Sequence, residues 1–295
     1  MEKTSKSIRP VDAPFYRYWH ALFMSFYSGK LYVDVSKRWK GGSYLYLLFM
    51  VTLFSLPFSL GMIANINHTM QDKIFDPLLK IPQLTIQQGQ IQLDKPMPYL
   101  IKDSEGENVL AIDTTGTITN LDSAAYPNLV MLMTTNQFFY RIPSTLGIYP
   151  NNTKSPSGIG YSKVYTETFP KTLNEVFEGR DWIQGTKLKR MLIYIDLIMI
   201  PSIIMVFYAI VVMFSFLLTL LGQFISKLFM KFSLSFLQAA RLVSVAITPI
   251  SGLVFIALPF GYLPQYTGFI AIVSFIFYFC FGVFNLKAES GKLVL

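Results

Sequence analysis

Four long apolar runs, separated by segments of very different polarity, dominate the hydropathy pattern of the chain. Each run has roughly the 20 apolar residues that cross the hydrocarbon of a bilayer. One long polar block separates the first run from the second. The pattern predicts an α-helical integral membrane protein with four transmembrane helices, at residues 43–64, 189–222, 241–260 and 266–286.

The polar block at residues 65–188 has the pattern of a small β-rich domain inserted between helices 1 and 2. Apolar and polar residues alternate over residues 84–93 around a Gln88-Gly89 pair, which predicts two strands joined by a tight turn. Further strands are predicted at residues 99–101, 109–112, 129–133 and 138–142. Because basic residues predict cytoplasmic termini and a cytoplasmic connection at residues 223–240, this domain is expected outside the cytoplasm.

The remaining segments are predicted from their charge and aromatic content. Residues 1–42 are basic and aromatic-rich, with residues 14–27 too short to span a bilayer. This stretch is expected either to lie on the membrane surface or to pack as a short helix under the transmembrane bundle. Residues 223–240 are predicted to form an amphipathic cytoplasmic connection, and residues 287–295 a cytoplasmic tail.

The second apolar run is longer than a bilayer requires. As a helix, residues 191–221 would extend about 46 Å, against about 30 Å of hydrocarbon. Such a helix has to tilt, bend at Pro201 or project beyond the membrane.

Composition supports a membrane protein and argues against a nucleic-acid-binding protein. The chain is 52% hydrophobic and only 14% charged, against about 25% charged residues in soluble proteins. The net charge of +8 is concentrated at the helix ends, since residues 1–42 hold eight basic and three acidic residues, whereas residues 65–190 hold twelve of each. The positive-inside rule then places both termini in the cytoplasm.

No set of residues predicts an enzyme, a metal site or a cofactor. The two histidines fall on opposite predicted sides of the membrane, and Cys280 is the sole cysteine. Residues 113–119 (DTTGTIT) differ at one position from the phosphorylated-aspartate signature of P-type ion pumps. However, Thr114 replaces the lysine of that signature, and the chain has no room for a nucleotide-binding domain. We therefore expect Asp113 to end a strand before a Thr/Gly turn.

Four polar residues in or beside the apolar runs are candidates for a role within the membrane: Asp196, Arg241, Ser244 and Thr248. Intramembrane acids are functional candidates by default. Asp196 lies only about 9 Å along the helix from Arg190, so a structural role near the outer interface competes with proton or ion coupling.

The layout of the whole chain resembles a family of uncharacterised multi-pass membrane proteins of Gram-positive bacteria. The likeness rests on SFYSGKLYVDVSKRWKGGSYLYLLFMVTLFSLP, IPQLTIQQGQIQLDKPMPYLI, VLAIDTTG and LQAARLVSVAITP. Some members are described as maltodextrin-utilisation proteins of the YvdJ or MalA type. The resemblance implies an accessory role beside maltodextrin uptake, with a sugar-uptake complex as membrane partner, and it implies no catalytic residues.

The leading expectation is a non-enzymatic accessory or scaffold protein. Its extracytoplasmic domain would bind a partner or an envelope component through aromatic residues, for which Phe138, Phe139 and Tyr140 are the candidates. The alternative is a transport component, in which helices 2–4 form a polar path past Asp196, Ser244 and Thr248.

Overall fold

The chain forms two compact units. The computed structural model describes residues 13–41, 43–144, 160–161, 163–185, 188–258 and 265–292. One unit comprises Met1–Gly61 and Met199–Leu295, and the other comprises Met62–Ile198. We call them the helical unit and the β unit. The outermost parts of the two predicted cytoplasmic tails, residues 1–12 and 293–295, lie outside the described residues.

Helices and strands follow one another in an order that keeps the strands together. The helices are α1 (Tyr18–Met24), α2 (Gly29–Arg38), α3 (Tyr44–Met70), a π-helical turn (Gln71–Phe75), α4 (Asp76–Leu79), α5 (Gly179–Gly185), α6 (Leu188–Phe229), α7 (Phe236–Ala246), α8 (Thr248–Ala257) and α9 (Thr267–Lys292). The strands are β1 (Leu84–Gln87), β2 (Gln90–Gln92), β3 (Tyr99–Lys102), β4 (Asn108–Asp113), β5 (Met131–Thr134), β6 (Gln137–Tyr140), β7 (Pro143–Ser144), β8 (Gly160–Tyr161), β9 (Tyr165–Thr168) and β10 (Glu175–Phe177).

Within the described residues, four helical segments are long and apolar enough to cross a membrane. They are Tyr44–Leu79, Arg190–Phe229, Phe236–Ala257 and Thr267–Ser290. The described strands lie between the first and the second of these segments. The predicted number of apolar helices and the position of the β region are therefore confirmed.

The core of the helical unit is built around α2, which the hydropathy pattern did not predict. Leu31, Tyr32 and Val35 of this helix are fully buried and pack in one cluster with side chains of α3, α7 and α9. Asp34 is also buried, where its carboxylate accepts hydrogen bonds from the backbone N–H of Phe15 (3.0 Å) and from Arg38 (2.8 Å). These bonds hold the segment before α1 against α2.

Two glycines allow α2 and α9 to approach closely. A Cβ atom added at Gly282 would lie 2.6 Å from the ring of Tyr32, and one added at Gly29 would lie 2.2 Å from the side-chain oxygen of Asn285. A larger residue at either position would force the facing side chain, Tyr32 or Asn285, to move. The sequence pattern did not reveal this contact, because it depends on which helices are neighbours.

The N-terminal aromatic stretch forms α1, with one buried and one exposed face. Ala21 and Leu22 are buried, whereas Trp19 and Phe23 are exposed. The helix therefore combines features of the two arrangements expected from the sequence, since it packs on the helical unit and still presents large apolar side chains outward.

The predicted amphipathic connection at residues 223–240 is not a separate helix. α6 continues as far as Phe229 and runs through Pro201 without a break in the helix, and α7 already begins at Phe236. α7 begins there because Ser235 and Gln238 form a capping box, in which each side chain bonds the other residue's backbone N–H. This start signal, Ser-x-x-Gln, is visible in the sequence.

The third predicted membrane helix consists of two shorter helices. α7 ends at Ala246 and α8 begins at Thr248, next to Pro249. Proline has no N–H to bond the carbonyl four residues earlier, so the helix is interrupted at this point.

The β unit contains two main sheets that share an apolar core. One sheet has the strand order β10-β1-β2 and the other β3-β4-β5-β6-β9, and β7 pairs with β8. β4 and β5 are parallel, and the other pairs are antiparallel. Side chains of both main sheets, of the π-helical turn and of α4 and α5 form one buried cluster, and a smaller cluster lies on the other face of the five-stranded sheet.

The predicted β1–β2 hairpin and the next four predicted strands are present, as β3 to β6. In the hairpin, Gln88 has φ 48° and Gly89 has φ 72°, as a two-residue type I′ turn requires. A Cβ atom at Gly89 would also lie 2.7 Å from the carbonyl oxygen of Pro170. Glycine is therefore needed here for both its conformation and its size.

The first membrane helix extends further than the predicted end at residue 64. α3 continues to Met70, and the π-helical turn and α4 carry the helical path to Leu79. The β-rich domain therefore begins with a helix rather than with a strand.

Candidate functional site

Strand β6 carries the three aromatic residues that we expected to contact a partner. Phe138 and Tyr140 lie on the face that contributes to the larger core cluster, and Phe139 packs into the smaller cluster on the opposite face. All three are half-buried. They are therefore parts of the sheet, and Phe139 is not on the same face as the other two.

A third ring extends the Phe138 and Tyr140 pair to the edge of the sheet. Tyr165 on β9 lies opposite Tyr140 in the strand register, and the ring centroids of these two residues are 5.4 Å apart. The Phe138 and Tyr140 centroids are also 5.4 Å apart. Tyr165 is 45% exposed, so the row of rings ends on the surface.

Strand β9 is the most accessible edge in the β unit. It is the terminal strand of the five-stranded sheet, and its four residues Tyr165–Thr168 are all exposed. Among the described residues, its backbone groups form hydrogen bonds only with β6. Such an edge presents unpaired N–H and C=O groups to a further strand.

Two other terminal strands of the β unit, β3 and β2, are at least partly covered, whereas β10 is shorter than β9 and less exposed. At the opposite end of the same sheet, the Lys80 ammonium donates to the carbonyl oxygen of Lys102 in β3, at 2.9 Å. In the three-stranded sheet, the N–H of Ile91 in β2 donates to the carbonyl oxygen of Thr135, at 2.8 Å. Lysine side chains and crossing backbone contacts protect these edges from further pairing.

Asp113 ends β4 and organises the turn that follows, as predicted. It is fully buried, and its carboxylate accepts hydrogen bonds from the backbone N–H groups of Thr115 (2.9 Å) and Ile118 (2.5 Å) and from the Thr115 hydroxyl (2.6 Å). Gly116 has φ 80° within the same turn. Burial by itself would raise the pKa of Asp113, but the Thr115 and Ile118 hydrogen bonds lower it below its ordinary value. The carboxylate therefore has a structural role in this turn.

A buried ion pair that the sequence did not predict lies at the π-helical turn. Lys73 is 3% exposed and its ammonium donates to Asp103, which is also buried and lies in the turn between β3 and β4. Glu105 lies 3.3 Å from the same ammonium, and Asp72 lies 3.5 Å from it. Polar residues just beyond an apolar helix were the available signal, but their partners are 30 positions away.

The acids of this turn form a group with the spacing of a possible cation site. Asp103, Glu105 and Glu107 each offer a carboxylate oxygen within 4.8 Å of the others. However, the Lys73 ammonium contacts two of these carboxylates. Lysine thus supplies the positive charge that a metal ion would bring, and the group is best explained as an ion-pair network.

Asp196 is paired within the β unit rather than isolated. The side-chain amide of Asn67 in α3 donates to the Asp196 carboxylate in α6, at 2.7 Å. Both side chains are half-buried. The hydrogen bond joins two long apolar helices, which supports a structural role for this acid.

Arg241 binds the end of α2. Its guanidinium donates to the carbonyl oxygens of Ser36 (3.0 Å) and Gly41 (2.8 Å). The carbonyls in the last turn of a helix have no partner within the helix, so Arg241 satisfies one of them and fixes α7 against the N-terminal segment.

Ser244 and Thr248 are buried and bond mainly to backbone within their own helical segment. Ser244 donates to the carbonyl oxygen of Ala240 (2.8 Å), and Thr248 donates to that of Ser244 (3.1 Å). The Thr248 hydroxyl also lies 2.7 Å from the Tyr46 hydroxyl on α3. These contacts bring Ser244, Thr248 and Tyr46 together as part of the packing between helices.

One family model accounts for most of the chain. The model described as "Protein of unknown function (DUF1189)" matches residues 19–283. No curated protein and no solved structure matches the chain significantly. The predicted place in an uncharacterised family is confirmed. The chain belongs to the DUF1189 family of proteins of unknown function.

Proposed function

We propose that this protein is a non-enzymatic accessory protein of the bacterial plasma membrane. Its β unit faces away from the cytoplasm and binds a partner protein by adding a strand of that partner to β9. The accessible edge at Tyr165–Thr168 is the observation that carries this proposal.

The exposed surface of the long helices supports integration in a membrane. Met191, Leu197 and Phe224 of α6 are each more than half exposed, and so are Phe269 and Phe277 of α9. In water, a protein that exposes so many large apolar side chains would aggregate. In a bilayer the same side chains contact lipid, at no such cost.

The orientation is supported by charge and by contacts within the helical unit. The end of α2 bonds Arg241 at the start of α7, and Lys287 near the end of α9 donates to the carbonyl oxygen of Met230 after α6, at 2.9 Å. The N-terminal segment, the α6–α7 turn and the end of α9 therefore lie at the same end of this unit. These segments carry the excess of basic over acidic residues, so the positive-inside rule places them in the cytoplasm.

Addition of a partner strand to β9 is favoured over binding of a small ligand by the aromatic rings of β6 and β9. The Phe138, Tyr140 and Tyr165 rings stack on one another, so their faces are largely occupied. The backbone of β9 has free hydrogen-bonding capacity within the described structure, and Tyr165 beside it offers apolar area to a second strand. Proteins that bind by strand addition use backbone bonds for affinity and side-chain contacts for specificity.

The resemblance to maltodextrin-utilisation proteins of Gram-positive bacteria indicates the first partner to test. A sugar-uptake complex of the same membrane would present extracytoplasmic segments within reach of β9. A partner protein is favoured over a glycan, because backbone N–H and C=O groups in a row match another strand.

A transport function has less support from the arrangement of polar groups. Ser244 and Thr248 bond to backbone carbonyls beside them, and Arg241 binds the end of α2. Asp196 bonds Asn67. Asp196, Arg241 and Thr248 contact other helical segments, and Ser244 bonds within α7. We therefore expect Asp196→Asn to leave solute flux unchanged in reconstituted vesicles, whereas a proton-coupled carrier would lose it.

Site-specific crosslinking in the native membrane tests the proposal. A photo-reactive residue at Thr166 in β9 should capture one partner protein, whereas the same residue at Lys102, on the opposite edge of the sheet, should not. Deuterium exchange of the complex should show slower exchange of the β9 amides. Equal capture from both positions, or unchanged exchange at β9, would refute strand addition.

A further inference from the structure

The two main sheets of the β unit enclose a cleft that no part of the proposed function uses. Its volume is about 180 Å³, smaller than the roughly 300–1,000 Å³ of pockets for drug-sized ligands. The buried side chains of Leu84, Ile86, Ile91 and Met133 line its interior. A small apolar group fits such a space.

The strand registers bring two carboxylates to the mouth of this cleft. Across the five-stranded sheet, Met133 lies opposite Phe138 and Phe138 lies opposite Glu167. This row of side chains runs from the buried Met133 to Glu167, which lies on the terminal strand β9.

The second row has the same order in the other sheet. Ile91 lies opposite Ile86, and Ile86 lies opposite Glu175. Glu167 and Glu175 are exposed and both line the cleft. Among the described residues that line it, they are the sole ionisable ones, and neither has an ion pair.

Aromatic side chains complete the mouth. Phe177 and Trp182 have ring centroids 6.2 Å apart, and Trp182 is 41% exposed. Aromatic rings beside carboxylates favour a positive charge, because the ring faces are electronegative and the carboxylates are anionic.

From this arrangement we infer that the cleft binds a primary alkylammonium group, with its alkyl chain between the sheets and its ammonium between Glu167 and Glu175. This site does not depend on a strand added to β9. A sugar is a poorer occupant, because the interior has no polar side chain to bond its hydroxyls, and burying unpaired hydroxyls is unfavourable.

The group can belong to a free amine or to the side chain of a lysine in a peptide. We therefore use two probes, n-pentylamine and Nα-acetyl-lysine amide, and 1-pentanol as a neutral probe of similar shape. The protein is the full chain in nanodiscs, labelled with fluorotryptophan. Its three tryptophans give separate fluorine NMR signals, and Trp182→Phe identifies the one at the cleft.

The amine is expected to shift the Trp182 signal in a saturable titration and to leave the other two unchanged. The double variant Glu167→Gln, Glu175→Gln should weaken its binding roughly fivefold or more, as expected for two partly exposed ion pairs. The pentanol titration should be the same in both proteins. Glu178→Gln is the matched control, because this nearby exposed acid does not line the cleft.

Each outcome decides the inference. Stronger binding of n-pentylamine indicates a free amine, and equal or stronger binding of the lysine derivative indicates a lysyl side chain. An unchanged Trp182 signal with both cationic probes, or equal affinity of the double variant, would overturn the inference. Neither result would affect crosslinking at Thr166, so the site and the proposed function fail separately.

Discussion

The variant Lys73→Met should show how much the buried ion pair between Lys73 and Asp103 stabilises the β unit. The sequence did not predict this pair. Lys73 is 3% exposed, and the side chain of its partner Asp103 is fully inaccessible. Glu105 adds little to the pair, because its side chain is 63% exposed and surface ion pairs are weak. The interaction between Lys73 and Asp103 therefore dominates.

In Lys73→Met, the Asp103 carboxylate would remain buried without its cation. Breaking a buried pair in this way costs about 3–5 kcal/mol, which corresponds to an increase in local opening of roughly 10²-fold to several thousandfold. Asp103 also accepts the backbone N–H groups of Glu105 and Glu107, each at 2.9 Å. Loss of the ion pair should therefore loosen the whole β3–β4 turn.

Neutralising both partners should restore much of the stability. In Lys73→Met combined with Asp103→Asn, the asparagine carbonyl can still accept the two backbone N–H groups, and the fully inaccessible position 103 no longer carries a charge. Asp72 also loses the ammonium, but it keeps the hydrogen bond from the Ser104 N–H. We expect the double variant to recover at least about 2 kcal/mol relative to Lys73→Met. Lys80→Met is the matched control, since that lysine is exposed and its loss should change stability by less than about 0.5 kcal/mol.

Deuterium exchange of the full chain in nanodiscs measures these differences at the amides of residues 103–107. Faster exchange in Lys73→Met and its partial reversal in the double variant are expected. Exchange in Lys73→Met that matches the control would refute the reasoning, because it would mean that Asp103 is solvated or neutral in the folded protein.

Three further predictions follow from contacts described above. Gly282→Ala should increase proteolysis before residue 41, because its Cβ atom would press on Tyr32, whereas Gly268→Ala meets open space and should have no effect. The stability of Asp113→Asn should depend less on pH than that of the unaltered protein. The pKa of Asp113 is lowered in the folded state, so its carboxylate stabilises the fold above the unfolded pKa of about 4. This contribution is lost as the pH falls through the folded pKa. Melting temperatures at neutral and acid pH give the comparison, and equal slopes for both proteins would contradict it. Arg241→Met should destabilise the helical unit by about 1 kcal/mol, since it leaves the part-buried carbonyl of Ser36 unpaired, whereas water can bond the exposed carbonyl of Gly41. Arg241→Lys should recover part of this loss in thermal unfolding.

The extent to which the sequence predicted the site differs between residues. The turn after Asp113 was predicted correctly, because the Asp, Thr and Gly residues that build it are close in the sequence. The aromatic candidates were found as a run, but Phe139 faces away from Phe138 and Tyr140, as strand alternation requires. Tyr165 was missed, since its contact with Tyr140 depends on the β6–β9 register.

Glu167 and Glu175 show the same limit for the cleft. Each is an unremarkable exposed acid in the sequence, and each becomes part of a site only because β9 and β10 are terminal strands of facing sheets. Ser235 and Gln238 are a contrasting case, because their capping box is local and the pattern Ser-x-x-Gln by itself indicates the start of α7.

The sequence by itself determined the four apolar helices, the β region between the first two and the first hairpin, because these follow from local periodicity and from turn residues within a few positions of one another. The tertiary structure alone decided the burial of α2, the Lys73 and Asp103 pair, the cap that Arg241 provides and the cleft between the sheets. Each of these joins residues that are distant in sequence, and the free energy of such a contact depends on which surfaces meet, which no local pattern encodes.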